Sequence, residues 1–207
     1  MAVSFDLFGT LVEVTPPDDP ARAVATALTE RGVSVPGDWE VVYATHHIET
    51  PPGAELSLVE HVEAGLESRG REISHAVVRA ALLDAFEPTV RTRPGARTAV
   101  SAAANRGSVG VLSNCSVPGL VQRTLVRSAL DFEAFDAVVS SVDCGRRKPD
   151  ERAFREIAER LGVPLSELTH VGDDSETDGG ATEAGATAIL LDDVPLRDVV
   201  TELERSQ

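Results

Sequence analysis

Lysine is almost missing from this sequence. Of its 207 residues, 19 are lysine or arginine, and Lys148 is the single lysine among them. Positive charge is scarce in general: 34 acidic residues leave a formal net charge of −15. Such a chain repels nucleic-acid backbone and anionic lipid alike, so neither is an expected partner. Cysteine is scarce too. Cys115 and Cys144 are the two thiols, too few for a disulfide framework, and free reduced thiols are expected. No apolar run approaches the roughly 20 residues that cross a bilayer. Met1-Ala2-Val3 leads straight into a short strand with no basic n-region or cleavage site, and the expected location is the cytoplasm.

The basic charge that is present is almost all arginine. An acidic, lysine-poor surface suits a halophilic setting, in which high ionic strength screens self-repulsion. Stability that rises from low to molar salt is the corresponding expectation. A lone lysine in such a chain also points to a task that arginine cannot perform.

The apolar pattern divides the chain. Val3-Ser4-Phe5 reads as a buried strand that delivers Asp6 to its C-terminal end, and Gly9-Thr10 breaks the run. Pro16, Pro17 and Pro20 read as a linker, and residues from about 19 to 88 read as helical. Asp19-Pro20 is a cap-and-first-turn pair with Gly32 as a stop. Trp39, Val42, Tyr43 and His46 suit a second helix, Leu56, Val59, Val62 and Leu66 a third, and Val77 to Ala85 behind Ser74 a fourth. These four helices are expected to form a small bundle.

After Arg93-Pro94-Gly95, helix and strand alternate. Helices are expected near 95–106, 117–129 and 150–161, with strands at 109–112, 137–140, 168–171 and 187–191. A last helix is expected to bury Leu196, Val199, Val200 and Leu203. Glu151/Arg155 and Glu156/Arg160 are i,i+4 pairs on the third of these helices. Alternation of this kind predicts an α/β fold, a Rossmann-like doubly wound parallel sheet. The core takes 1–14 and 91–207, and the helical module 15–90.

In open α/β sheets the ligand lies outside the carboxyl ends of the strands. The polar residues at those ends are Asp6 and Thr10, Ser113 and Asn114, Lys148, and then Asp173, Asp174 and Asp178. Any one of them can be a turn former or helix cap. Four stretches in this order and spacing are not explained that way.

The runs Phe5-Asp6-Leu7-Phe8-Gly9-Thr10-Leu11, Leu112-Ser113-Asn114, Arg147-Lys148-Pro149-Asp150 and Gly172-Asp173-Asp174-Ser175-Glu176-Thr177-Asp178 resemble the four motifs of the haloacid dehalogenase-like hydrolase superfamily. The resemblance spans nearly the whole chain, and Pro94-Gly95 fits it as well. It implies a helical cap inserted after the first motif, with Asp6 as nucleophile and the Ser113 hydroxyl, beside the Asn114 backbone, on the transferring group. Lys148 then steadies the nucleophile. Asp6, the Phe8 backbone carbonyl, Asp173 and either Asp174 or Asp178 hold Mg²⁺. The lone lysine falls on the superfamily's catalytic lysine position.

Two features of the motifs disagree about the reaction. Phosphatases resembling this chain carry an aspartate two residues after the nucleophile, where Phe8 stands. A positioned general acid is worth roughly 10² to 10⁴ in rate, which counts against an alkyl phosphate. A halide leaves unprotonated, so the first motif favours a metal-independent 2-haloacid dehalogenase. The fourth motif favours the other side. Asp6, Asp173, Asp174 and Asp178 around one lysine call for a divalent cation with oxygen ligands. The expected function is therefore a Mg²⁺-dependent phosphohydrolase acting on a small molecule. The alternatives are a dehalogenase and a binding or regulatory protein on the same fold. Phe154 is read as core packing, Arg22 and Arg31 as surface arginines with anion binding as the alternative, and His46 and His47 as exposed or half-packed histidines with facing the site from the cap as the alternative.

Overall fold

The computed structural model describes residues 1–87 and 89–205. Chain order begins with β1 (Ala2–Phe5) and β2 (Val12–Val14), followed by α1 (Pro20–Glu30), α2 (Trp39–Ala44), α3 (Leu58–Glu67) and α4 (His75–Ala85). Then come β3 (Val90–Thr92), α5 (Ala96–Ala104), β4 (Ser108–Ser113), α6 (Leu120–Arg127), β5 (Ala137–Ser140), α7 (Ser141–Cys144) and α8 (Glu151–Arg160). The chain closes with β6 (Leu168–Gly172), α9 (Gly180–Ala184), β7 (Thr187–Leu190) and α10 (Val199–Arg205).

Among the described residues, five strands pair in parallel in the order β5-β4-β1-β6-β7. The first strand of the sequence therefore sits in the middle of the sheet. All four of its residues are buried, as a strand covered on both faces requires. Side chains alternate between those faces. Val3, Phe5, Val109 and Val111 join the apolar cluster that includes α5 and α10, whereas Leu112, Val139 and Leu168 pack with Phe154 and Ile157 of α8. Gly110 lies on the α8 side, where a Cβ would come within 2.8 Å of Ile157 Cδ1. Helices thus cover both faces of a parallel sheet, which is the Rossmann-like arrangement the alternating pattern predicts.

Several boundaries differ from the sequence expectation. The helices expected near 95–106 and 117–129 are shorter at both ends, and Gly95 and Gly119, at positive φ, set where α5 and α6 begin. Helix α2 stops at Ala44, so His46 lies beyond it and is exposed. Leu56 precedes α3, whose N-cap is Ser57. Val200 is only half-buried, while Leu196, Val199 and Leu203 are buried. The Asp19 cap forms as expected, its carboxylate accepting from the Arg22 amide at 2.9 Å with Pro20 opening the helix. Ser74 caps α4 by position but makes no side-chain capping bond.

A two-stranded antiparallel ribbon was not expected. β2 and β3 pair with Val14 opposite Val90 and Val12 opposite Thr92, and Arg91 and Glu13 form an ion pair across it. The chain leaves and re-enters the core at neighbouring points, with α1–α4 between them. Those helices pack mainly on one another, α1 against α4 and α3 against α4. Their buried side chains, Val24, Leu28, Trp39, Val62 and Leu66 among them, belong to the same apolar cluster as one face of the sheet. The insertion is therefore seated on the core by burial of apolar surface.

Candidate active site

Three strand ends and one loop bring the polar residues together. Asp6 follows β1 directly and is 7% exposed, its amide held by the Val171 carbonyl of β6 at 2.8 Å. Ser113 ends β4, and Asp173 and Asp178 follow β6. Lys148 comes from the loop before α8. Asn114 positions that loop: its side-chain nitrogen donates to the Lys148 carbonyl at 3.0 Å, and its oxygen accepts from the Lys148 amide at 2.8 Å. The side chain of Asn114 thus orients the Lys148 backbone, a use not anticipated from the motif.

Lys148 is 2% exposed. Its ammonium donates to Asp6 Oδ1 at 2.8 Å and to Asp178 Oδ1 at 2.5 Å. Burial alone would lower the lysine, but the two carboxylates outweigh it and hold it above its ordinary range. A lysine is the residue that can do this, since its compact charge lets both carboxylates approach one nitrogen.

Asp178 is the most heavily bonded carboxylate of the group. Besides Lys148, it accepts from His170 Nε2 at 3.0 Å, and its other oxygen accepts from the Asp173 and Asp174 amides, both at 3.1 Å. Burial would raise it, yet these bonds and the charge of Lys148 hold it below the ordinary carboxylate range. Gly172 is needed here, because a Cβ would collide with the Asp178 side chain. His170 is fully buried and pushed down to about 4 by that burial. Asp178 can only accept, so Nε2 carries the ring proton, and Nδ1 accepts from the Ser4 hydroxyl at 2.8 Å. Ser4 and His170 went unnoticed in the sequence, where both read as strand residues.

Asp6 has fewer partners. Burial is the largest influence on its carboxyl and raises it to about 6, with Asp178 and Asp173 pushing the same way and Lys148 opposing. Its Oδ1 bonds Lys148, and Oδ2 accepts no hydrogen bond among the described residues. Thr10 is fully buried and donates to Asp173 Oδ1 at 2.6 Å, so it orients that carboxylate. Gly9, at φ +90°, passes so close to Asp173 that any Cβ would clash with it.

Asp6, Asp173 and Asp178 each offer an oxygen within 4.8 Å of the others. Three hard oxygen donors around one ammonium suit a divalent cation such as Mg²⁺. Asp174 is exposed and accepts from the Glu176 and Thr177 amides; it stays outside this cluster and shapes the turn. Asp178 is already spent on four donors, which leaves Asp6 and Asp173 as the carboxylates with a free oxygen.

The crevice has a volume of about 270 Å³ and is lined by Asp6, Phe8, Ser113, Lys148 and the acidic residues after β6, with Arg147 at its side. The Ser113 hydroxyl is buried and makes no hydrogen bond among the described residues. Such a group normally finds a partner, and here it faces the crevice. Phe8 is half-buried and lines the same space. The other residues weighed from the sequence lie elsewhere. Arg22 is exposed beside Asp19, Arg31 pairs with Asp84, and His47 bonds the Val42 carbonyl. Phe154 packs edge-on against His170 with ring centroids 5.3 Å apart.

Residues 1–185 match the family model described as haloacid dehalogenase-like hydrolase. The chain belongs to this hydrolase family. It is 37% identical over 149 residues, 70% of its length, to Phosphatase MT3486 of Mycobacterium tuberculosis (strain CDC 1551 / Oshkosh), of which the match covers 64%. Over a shorter stretch of 58 residues, 28% of this chain and 24% of the relative, it is 44% identical to the 5-amino-6-(5-phospho-D-ribitylamino)uracil phosphatase YigB of Escherichia coli (strain K12). Among solved structures, 2-haloacid dehalogenase from Pseudomonas syringae pv. Tomato DC3000 superimposes with a TM-score of 0.65 at 20% identity, covering 100% of this chain and 99% of that one. A HAD phosphatase from Thermococcus onnurineus gives 0.55 at 19% identity over 91% and 85%. These hydrolases share the fold of this chain and differ in the bond they break. Among the described residues, no helix is long and apolar enough to cross a membrane.

Proposed function

We propose that this hydrolase is a Mg²⁺-dependent phosphohydrolase with Asp6 as its nucleophile, acting on a small molecule whose leaving group is already acidic. The observation that carries this reading is the cluster of Asp6, Asp173 and Asp178 around the single ammonium of Lys148. A haloacid offers such a cluster no reason to exist, whereas a phosphate dianion needs a cation between itself and the carboxylates.

Asp6 and Asp173 would hold the ion, with the Phe8 carbonyl as a further oxygen. When bound, Mg²⁺ would supply charge neutralisation for the phosphoryl oxygens. Asp6 attacks phosphorus, the bond from phosphorus to the leaving oxygen breaks, and that oxygen departs with its electron pair. Water then attacks the aspartyl phosphate, releasing phosphate and restoring Asp6. The Ser113 hydroxyl donates to a phosphoryl oxygen, and Lys148 keeps the nucleophile in place. Helices α1–α4 serve as the cap. The two free thiols support a reducing, cytoplasmic setting.

Phe8 limits the substrate. It cannot protonate an alkoxide, so acyl or aryl phosphates are favoured over alkyl esters. The same residue favours a second reading, displacement of halide from a 2-haloacid. Release of p-nitrophenol from its phosphate, with and without Mg²⁺, separates these readings when run beside halide release from 2-chloropropionate. Metal-dependent phenol release, lowered at least about 10³-fold in Asp6→Asn, is the expected outcome. Metal-free halide release would replace the reading with the dehalogenase, and silence in both assays would point to a binding protein.

A further inference from the structure

The crevice continues past Asn114 and Arg147, which also line a second hollow of about 390 Å³. That volume lies within the roughly 300–1,000 Å³ of small-molecule pockets. Its walls are largely apolar, with Tyr43 from α2, Leu58 from α3 and Phe86 after α4 on one side, and Val117 and Leu120 on the other. One acidic group, Glu55, interrupts them.

Glu55 is an unusual wall. Its side chain is only 7% exposed, and its backbone is tied to the core through the Gly145 carbonyl and the neighbouring bridge of Ala54 with Arg146. One carboxylate oxygen accepts from the Ser141 hydroxyl at 2.6 Å. The other accepts nothing among the described residues. Arg147 is the nearby cation, but its Nε stands 4.0 Å from the carboxylate, beyond hydrogen-bond reach, and half of its side chain is exposed. A buried carboxylate with one neutral donor is poorly compensated. Asp178, with four donors, shows how the same chain satisfies a carboxylate that it buries.

We infer that this hollow receives the leaving group, and that it selects a ring-sized apolar body ending in an ammonium or other N–H donor that bonds Glu55. The inference rests on the phosphohydrolase reading for the direction of the substrate, its phosphoryl end over Asp6 and its organic end under α2–α4. Arg147 lies on the rim shared by both spaces, where a phosphate dianion draws it toward the crevice and leaves Glu55 to the opposite, cationic end. A leaving group ending in a carboxylate meets Glu55 as a like charge.

Two aryl phosphates with the same phenolic leaving oxygen test this: the phosphate ester of tyramine and that of 3-(4-hydroxyphenyl)propionate. With the full Mg²⁺-loaded chain, kcat/KM should favour the tyramine ester by about tenfold or more, the value of one hydrogen bond to a charged group. Glu55→Gln should bring the ratio to within about twofold. Binding of free tyramine and free 3-(4-hydroxyphenyl)propionate, followed by calorimetry, should show the same order in the wild-type chain without any turnover. Equal binding of the two, or a preference for the carboxylate, overturns the inference. So does a preference that survives in Glu55→Gln. Failure to release phosphate from either ester or from p-nitrophenyl phosphate would instead overturn the phosphohydrolase reading, and the two free phenols would still decide whether Glu55 selects a cationic end.

Discussion

Asp178 at the edge of the sheet and Asp84 in the inserted helices are both paired aspartates, and their surroundings have little else in common. Asp178 is 1% exposed and takes donors from Lys148, His170 and two backbone amides. Asp84 lies at the surface of α4, with Arg31 and Arg123 beside it. In the first region the charges are shielded from water and held by several hydrogen bonds from buried or part-buried groups. In the second, solvent and salt screen the pairs, and flexible arginines hold them loosely. The core edge thus builds one buried arrangement of charge, while the insertion is held by apolar packing and carries its ion pairs at the surface.

The sharpest way to break that contrast is to remove Lys148. Lys148→Ala leaves Asp6 and Asp178 buried without their cation, and urea unfolding should show a loss of about 3–5 kcal/mol. A loss below about 1 kcal/mol would mean that the edge is as loosely coupled as the surface. Mg²⁺ offers the opposite manipulation, since it adds charge where the cluster lacks it. At a hundredfold excess over its dissociation constant it should stabilise the chain by about 2.7 kcal/mol, seen as a rise in Tm that EDTA reverses. Asp173→Asn should abolish most of that rise. Asp84→Ala should change unfolding by no more than about 1 kcal/mol, and molar salt should shrink even that difference.

The legible parts of the molecule were those whose signal is local. β1 reads from three consecutive residues, Val3-Ser4-Phe5, α8 from an apolar stripe with Glu156 and Arg160 at 2.8 Å on its outer face, and α1 from Asp19-Pro20. Asp6, Ser113, Lys148 and Asp173 were legible because each follows a recognisable strand or opens a recognisable helix. The β2–β3 ribbon was not, since three-residue strands 78 positions apart are joined by pairing alone. Asp174 and Asp178 could not be told apart by spacing; both lie within one turn-rich segment. The fold turns Asp178 inward onto Lys148 and leaves Asp174 exposed in the turn. Glu55 carried no signal at all, sitting between two prolines and a helix cap as loop acids commonly do.

What the sequence by itself determined is the set of chemical groups and their placement at strand ends, because a parallel sheet delivers whatever follows its strands to one edge. It also determined that Phe8 leaves no proton donor two residues beyond Asp6. Only the tertiary structure decided how those groups share charge. Lys148 bridges Asp6 and Asp178 across separations of 142 and 30 residues, His170 and Ser4 back Asp178 from inside the sheet, and Glu55 meets Ser141 from 86 residues away. Hydrogen bonds and desolvation act over a few ångströms, and which residues come that close is set by packing of the whole chain.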